Sequence, residues 1–403
     1  MASQLPDGED VPATGELPAP ALAEVGRRGF GVYVHVPFCA SRCGYCDFNT
    51  YAPGEGQSRD GYVDAILAEI RLAARVLETP PRAVDTVFFG GGTPTLLPPG
   101  DLGRILAAID SAWGLAPGAE VTTEANPESV TPSSLRELRA AGFDRISLGM
   151  QSIAPAVLSV LDRKHTAGRA PQAAIEAREA GFAHVNLDLI YGTPGESADD
   201  FAASLDAAIA AGIDHLSAYA LIVEDGTRMA ARMRRGDLPY PSDDVAADRY
   251  LAAEQRLEAA GFSWYEVSNW ATSDAARCRH NMLYWTGADW WGFGPGAHSH
   301  VGGVRWWNVK HPNTYASRLA EGVSPGAGRE ILSPEDRTVE DVMLRLRLHD
   351  GLDTGTLTKA GRAAAARAFG AGLLEAEPFA AGTARLTLRG RLLADAVVRD
   401  LLP

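Results

Sequence analysis

The sequence has little cysteine, almost no lysine and no long apolar run, and each scarcity argues against a class of protein. Only four of its 403 residues are Cys, and three of these are Cys39, Cys43 and Cys46. A secreted disulfide framework spreads paired cysteines along a short chain, so that class is set aside. In a reducing compartment a knot of three thiols reads as metal binding. No stretch approaches the roughly 20 apolar residues of a membrane span. Residues 1–24 are acidic and rich in Pro and Ala. They lack the basic start and apolar run of a signal peptide and the Arg and Ser content of a transit peptide. They read as a disordered leader ending near residue 27. The expected location is the cytoplasm, at most peripheral to a membrane.

Positive charge is also short: 37 Lys and Arg stand against 51 Asp and Glu, for a net charge of −14. Such a chain repels phosphate backbones, which argues against general nucleic-acid binding. Only Lys164, Lys310 and Lys359 are Lys. With the many Ala, that bias reads as genome composition rather than function.

What is present is an alternation of short strands and helices. Strands are expected at Gly31–Val36, Asp85–Phe89, Glu120–Glu124, Arg145–Met150, His184–Ile190 and His215–Leu221. Their Val, Ile, Leu and Phe content suits buried parallel strands. Helices are expected near Arg59–Val76, Gly100–Trp113, Pro132–Ala141, Ala167–Ala180 and Ser197–Ala211, two of them opened by Pro-Ser-Ser and Glu-Ser-Ala-Asp-Asp runs. Six such units predict a parallel α/β fold with right-handed crossovers, a partial (β/α)6 barrel. Ligands in such folds sit at the carboxyl ends of the strands. Those ends carry the Cys loop, Gly90-Gly-Gly-Thr-Pro-Thr95, Glu124, Gln151, Asp188 and Tyr219, so six segments point at one place. Residues 28–225 are read as the barrel core, 226–325 as a barrel-closing extension and 326–403 as a smaller α+β, winged-helix-like C-terminal domain. Ser324–Arg329 reads as the linker, and Arg385–Arg389 as a strand before a closing helix at Leu392–Leu401.

Iron–sulfur clusters are held by Cys thiolates, one per iron. The C-x3-C-x2-C spacing of Cys39, Cys43 and Cys46 can serve three irons of a [4Fe-4S] cubane and leave the fourth open for chemistry. The alternative from the residues alone is a structural zinc completed by His35 or His280. Cys278 reads as a small buried hydrophobe.

These motifs resemble the radical-SAM superfamily: the cysteine spacing, the aromatic before the third Cys, and the Gly-Gly-Gly-Thr-Pro-Thr run. Tyr-Val-His-Val-Pro-Phe-Cys, Cys-Asp-Phe-Asn, Ser-Leu-Gly-Met-Gln-Ser, Leu-Asp-Arg-Lys-His, Asn-Leu-Asp-Leu-Ile-Tyr-Gly and His-Asn-Met-Leu-Tyr-Trp are similar to the oxygen-independent coproporphyrinogen-III-oxidase-like family and, within it, to the haem-chaperone branch. The resemblance implies that S-adenosylmethionine (SAM) chelates the open iron, and that an electron from the cluster can cleave it to a 5′-deoxyadenosyl radical. It implies SAM contacts at Tyr33, Tyr45, Gly91, Gly92, Thr93, Glu124, Gln151, Arg163 and Asp188. Without it, Arg163 reads as a surface ion pair and Tyr33 equally well as core. It also associates His280, Asn281, Tyr284 and Trp285 with haem; the plain alternative is a buried aromatic corner. The run from Gly292 to His298 is expected to close the barrel and touch SAM, or equally to be a tight turn required only for folding.

Two functions follow from the resemblance. One is a haem chaperone that delivers haem to an acceptor, for which a membrane respiratory protein is a candidate. The other is the SAM-dependent oxidative decarboxylase of coproporphyrinogen, which carries an additional Cys two residues after the third. Here Phe48 stands in that place, which favours the chaperone. No catalytic residue is assigned. An electron donor is implied if SAM is cleaved, and a homodimer is left open.

Overall fold

The computed structural model describes residues 8–53, 59, 61–77, 83–166 and 168–402. Six strands follow the expected order: β1 (Phe30–Val36), β2 (Val84–Gly91), β3 (Leu115–Ala125), β4 (Arg145–Gln151), β5 (His184–Tyr191) and β6 (His215–Ala220). Each pairs in parallel with the next. The helices Tyr62–Val76, Pro99–Trp113, Pro132–Ala140, Arg169–Glu179 and Ala198–Ala210 cross between them. Two of these helices begin where the Ser-rich and Asp-rich runs predict. Thr131 and Ser197 each accept a backbone N–H three residues on, and Ser134 and Asp200 return the bond, the reciprocal cap that satisfies otherwise orphaned donors.

The strands alternate between two environments, as a period of two dictates. Val32, Val34 and Val36, Ile146 and Leu148, and Val185 and Leu187 are buried in the main core. The intervening residues point the other way and are mostly polar: Tyr33, Phe88, Glu124, Ser147, Asp188 and Tyr219 line one interior cavity. Side chains from six neighbouring strands meet only if the sheet curves, so the parallel core is a partial barrel.

The rest of the chain extends both edges. β7 (Ser263–Glu266) and β8 (Asn269–Ala271) add beyond β6. β9 (Asp289–Phe293) joins β1 in parallel, and β10 (His298–Val301), β11 (Val304–Asn308) and β12 (Gly326–Ile331) continue antiparallel. The twelve-stranded sheet runs β12-β11-β10-β9-β1-β2-β3-β4-β5-β6-β8-β7.

The structure differs from three readings of the sequence. The supposed linker at 324–329 is largely β12. A Cβ on Gly328 would meet Trp307 at 2.7 Å, and one on Gly326 would meet Val11 at 2.7 Å. These glycines permit close approach rather than flexibility. The C-terminal unit therefore starts later, at Ser333, which caps the helix Pro334–Arg345. Residues 8–27, part of the supposed leader, are ordered on the sheet: Glu9 and Arg329 exchange backbone hydrogen bonds of 2.8 and 2.9 Å, and Leu17 and Ala21 are buried in the main core. Residues 1–7 lie outside the described residues. The strand expected at Arg385–Arg389 is reduced to a single bridge from Leu386 to Leu374, and the regular pairing falls just before it, Thr383–Ala384 with Leu352–Asp353. Thr387 accepts the Gly390 N–H and starts a short helix instead.

The C-terminal unit has its own core, including Leu346, Leu352, Leu374 and Val397. It rests on β7: the His349 N–H donates to the Tyr265 carbonyl at 2.9 Å, and the Arg391 guanidinium lies 4.4 Å over the Trp264 ring.

Candidate functional site

The Cys loop leaves β1 and is clamped at several points. Tyr51 N–H donates to the Pro37 carbonyl at 2.7 Å, and Cys39 N–H to the Tyr51 carbonyl at 3.0 Å. Mid-loop, Gly44 donates to the Leu161 carbonyl at 3.1 Å and accepts from Met229 N–H at 2.9 Å. Cys39, Cys43 and Cys46 are all half-buried free thiols. Burial, then the neighbouring Cys46, pushes the Cys39 thiol up to about 11, and burial raises Cys46 too. Thiols so placed resist becoming thiolates unless the bound group brings positive charge, as iron does.

Among the described residues, no three His, Cys, Asp or Glu side chains gather tightly enough for one metal ion. Structural zinc needs four donors at about 2.0–2.3 Å from one point. The histidines that could complete such a set are engaged elsewhere. His35 meets the Tyr33 hydroxyl at 3.0 Å and the Asn49 carbonyl at 2.9 Å. His280 meets Thr86 Oγ1 at 2.7 Å and the Tyr284 hydroxyl at 2.8 Å. A cubane needs one thiolate per iron, so three sulfurs spread over a loop fit it better than they fit a single ion.

Arg163, just past the helix Pro155–Val160, reaches this loop. Its Nη1 stands 3.6 Å from Cys43 Sγ, and its Nη2 donates to the Gly149 carbonyl at 3.1 Å. Its Nε is buried without a hydrogen-bond partner among the described residues. Burial works against its charge, but Cys43 and Tyr45 outweigh it and raise its pKa. A Cβ at Gly149 would lie 2.8 Å from both Arg163 Nη2 and Gln151 Nε2, which explains that glycine. Gln151 itself has φ of 65°, a left-handed conformation that costs a non-glycine residue energy and is typical of functional sites. The plain reading of Arg163 as a surface ion pair is not what the structure shows. Tyr45 packs against the apolar group of Leu161, Ile190 and Met229.

The glycine loop after β2 meets the Cys loop through its backbone. Gly92 N–H donates to the Val36 carbonyl at 2.8 Å and Thr93 N–H to the Phe38 carbonyl at 2.7 Å. A Cβ on Gly92 would lie 2.5 Å from the Phe38 carbonyl oxygen, and one on Gly91 would lie 2.5 Å from the His35 ring. Glu124 accepts the Gly91 N–H at 3.0 Å. Burial, then Asp188, pushes the Glu124 carboxyl up to about 7. Asp188 is raised by burial as well; it accepts from Ser147 at 2.7 Å and Asn186 at 2.8 Å.

The two predicted ligand sites are not separate. His280, Asn281 and Tyr284 line the same interior cavity, of about 350 Å³, as Tyr33, Glu124 and Asp188. His280 is 1% exposed, and burial pushes its imidazole down to about 4. Its helix, Arg279–Trp285, seals the barrel: both Glu120 carboxylate oxygens accept its first N–H groups, from Arg279 at 3.1 Å and His280 at 3.0 Å. Trp285 lies at its half-exposed end. Cys43, Cys46 and Arg163 face a different space, a cleft of about 1120 Å³. Gly292–His298 begins in β9 beside β1, where Asn49 donates to the Pro295 carbonyl at 2.9 Å and Asn308 to the Gly294 carbonyl at 2.9 Å.

Several interior residues went unnoticed in the sequence. Arg145 and Glu120 form a buried pair at 2.9 Å, and His215 links Asn186 to Tyr265 at 2.7 Å each. The alternation of polar and apolar residues along each strand marks all of them.

Residues 33–208 match the family model of the radical SAM superfamily. The chain is 55% identical over 385 residues to the heme chaperone HemW of Mycobacterium tuberculosis strain H37Rv, covering 95% of this chain and 97% of that one. It is 36% identical over 327 residues to the heme chaperone HemW of Synechocystis sp., covering 79% of this chain and 78% of that one. Among solved structures, coproporphyrinogen III oxidase (HemN) from Escherichia coli shares the fold, with a TM-score of 0.81 at 24% identity over 95% of this chain and 92% of that one.

Proposed function

The chain belongs to the HemW heme chaperone family of the radical SAM superfamily, and from that membership we propose that it binds haem and hands it to an acceptor protein. Cys39, Cys43 and Cys46 hold three irons of a [4Fe-4S] cluster. Arg163 lies beside Cys43 and offsets the charge that the thiolates carry. SAM lies against the loop of Gly91, Gly92 and Thr93, which the Cys loop holds in place through its backbone. Glu124 and Asp188 face its ammonium or ribose, Tyr33 and Tyr45 its adenosine and methionine path, and Gln151 its carboxylate side. When bound, the cluster supplies an electron for SAM chemistry. The protein positions the groups and keeps water out of the barrel.

The observation that carries the chaperone over the decarboxylase is Phe48. It occupies the position of the enzyme's additional Cys, is 61% exposed, and lies on the cleft with Cys43 and Cys46. An apolar ring there offers a surface, not a proton or a thiol.

The family resemblance assigns haem to His280, Asn281, Tyr284 and Trp285. For His280 to ligate iron it must release Thr86 or Tyr284, and the cavity must open. The function as a whole is tested by incubating reconstituted protein anaerobically with coproporphyrinogen, SAM and reductant, and separately by titrating hemin. The expected result is a Soret band and no protoporphyrinogen. Clear turnover would reverse the assignment. Among the described residues, no helix is long and apolar enough to cross a membrane, so delivery to a membrane acceptor would occur by docking.

A further inference from the structure

Accepting the chaperone reading, we propose that haem docks in the cleft over the Cys loop, with His165 as its axial iron ligand and Lys164, Arg228 and Lys310 facing its propionates. The interior cavity suits haem poorly. It holds about 350 Å³ and is lined by Glu124 and Asp188, two carboxyl groups facing a ligand that carries two carboxylates itself.

The cleft has the opposite character. Its volume is about 1120 Å³, above the ~300–1,000 Å³ of a typical single-ligand pocket. A cluster at the Cys43, Cys46 and Arg163 end, with SAM reaching inward toward Glu124 and Asp188, therefore leaves the outer part for another ligand. Phe48, Pro155 and Leu158 give that part an apolar wall suited to a flat macrocycle. Its charge runs against the chain as a whole. Among the described residues, five permanent cations, Arg42, Arg163, Lys164, Arg228 and Lys310, line it against two carboxylates, Asp47 and Asp162, in a protein of net charge −14. Two of the chain's three lysines stand here. The Lys310 carbonyl is fixed to the loop after Cys46 by Asn49 at 2.9 Å and Tyr51 at 3.1 Å.

His165 supplies what the wall and the cations lack. It lines the cleft, and its Nδ1 has no hydrogen-bond partner among the described residues. Both nitrogens of His280, by contrast, are engaged. Burial, then Arg163, keeps His165 neutral at ordinary pH, the state in which imidazole binds iron.

The test is a hemin titration of anaerobically reconstituted full-length protein, followed at the Soret band, with folding checked by circular dichroism. His165→Ala is expected to weaken hemin by about tenfold or more and to shift the band, and added imidazole to restore it. His280→Ala is expected to keep the wild-type band. Metal-free protoporphyrin needs no axial ligand, so it should bind His165→Ala as it binds wild type. It should bind the Lys164→Glu/Lys310→Glu double variant about tenfold more weakly, a loss of one tenfold step in affinity. A wild-type band in His165→Ala, or a band lost in folded His280→Ala, overturns the proposal and returns haem to the interior helix. Wild type that binds neither hemin nor protoporphyrin sinks the chaperone reading itself, a separate failure.

Discussion

Arg163 reaches Cys43 Sγ with one guanidinium nitrogen at 3.6 Å and the Gly149 carbonyl with another at 3.1 Å. A single side chain thus ties the end of β4 to the cluster loop. Arg163→Ala leaves the carbonyl unpaired, which is expected to cost about 1–3 kcal/mol in urea unfolding. It also removes a cation beside the cluster, so the midpoint potential should become more negative. Arg163→Lys keeps the charge but not the two-point geometry, and should recover the potential more than the stability. An unchanged potential in Arg163→Ala would dissociate this residue from the cluster.

Cys43 is half-buried, and the main core is built from the outward faces of the strands. Cys43→Ser should therefore lose the cluster and keep the fold. Iron and sulfide should fall from about four each per chain, while the unfolding free energy moves by less than about 1 kcal/mol. Outright unfolding of this variant would make the loop structural.

Glu124 gives stability a pH dependence with a definite sign. Its carboxyl rises from 4.5 to about 7 on folding. The folded state therefore holds a proton that the unfolded state releases between those values. The stabilisation is complete below about 4.5 and is lost as pH rises through about 7. Glu69, buried with Tyr315, Asn308 and Gly294 donating to it, is pushed the same way by its burial, to about 7. The unfolding free energy from denaturant titration should fall between pH 5 and pH 8, by on the order of 3 kcal/mol for each such group. Glu124→Gln should flatten part of that slope. A slope identical to wild type would refute the assignment.

Glu120 serves Arg145 and the helix Arg279–Trp285 together. Glu120→Ala strands a buried guanidinium and uncaps the helix, at an expected cost of about 3–5 kcal/mol. Replacing the pair at once, Glu120→Leu with Arg145→Met, should cost less than the single change. A double variant that loses as much as the Glu120 and Arg145 single changes summed, measured by urea unfolding, would show that the pair is not coupled.

The core of this fold is legible in the chain because β1 to β6 announce themselves as runs of Val, Ile, Leu and Phe, with caps such as Thr131 and Ser197 between them. The cysteine trio and the glycine loop are legible because their chemistry is local. Other features are not. Gly326 and Gly328 look like a hinge until Val11 is seen packed against the one and Trp307 against the other. Leu17 and Ala21 are too sparse to announce a buried segment, and the surface they cover comes from the far end of the chain. His280 carries a haem-like motif, yet Thr86, 194 residues away, decides that its ring is engaged. His165 ends the Leu-Asp-Arg-Lys-His motif, but the motif gives it no role of its own, since the cleft that exposes it is made by four separate segments.

The placement of the C-terminal unit has a further consequence. β7 is the outermost strand on its side, and an unprotected strand border recruits copies of itself. The contacts of His349 with Tyr265 and of Arg391 with Trp264 occupy that border. A chain cut at Ser333 would expose it, and light scattering should then report polymerisation that the intact protein avoids. The small unit thus covers a strand border that would otherwise be open to pairing with another copy.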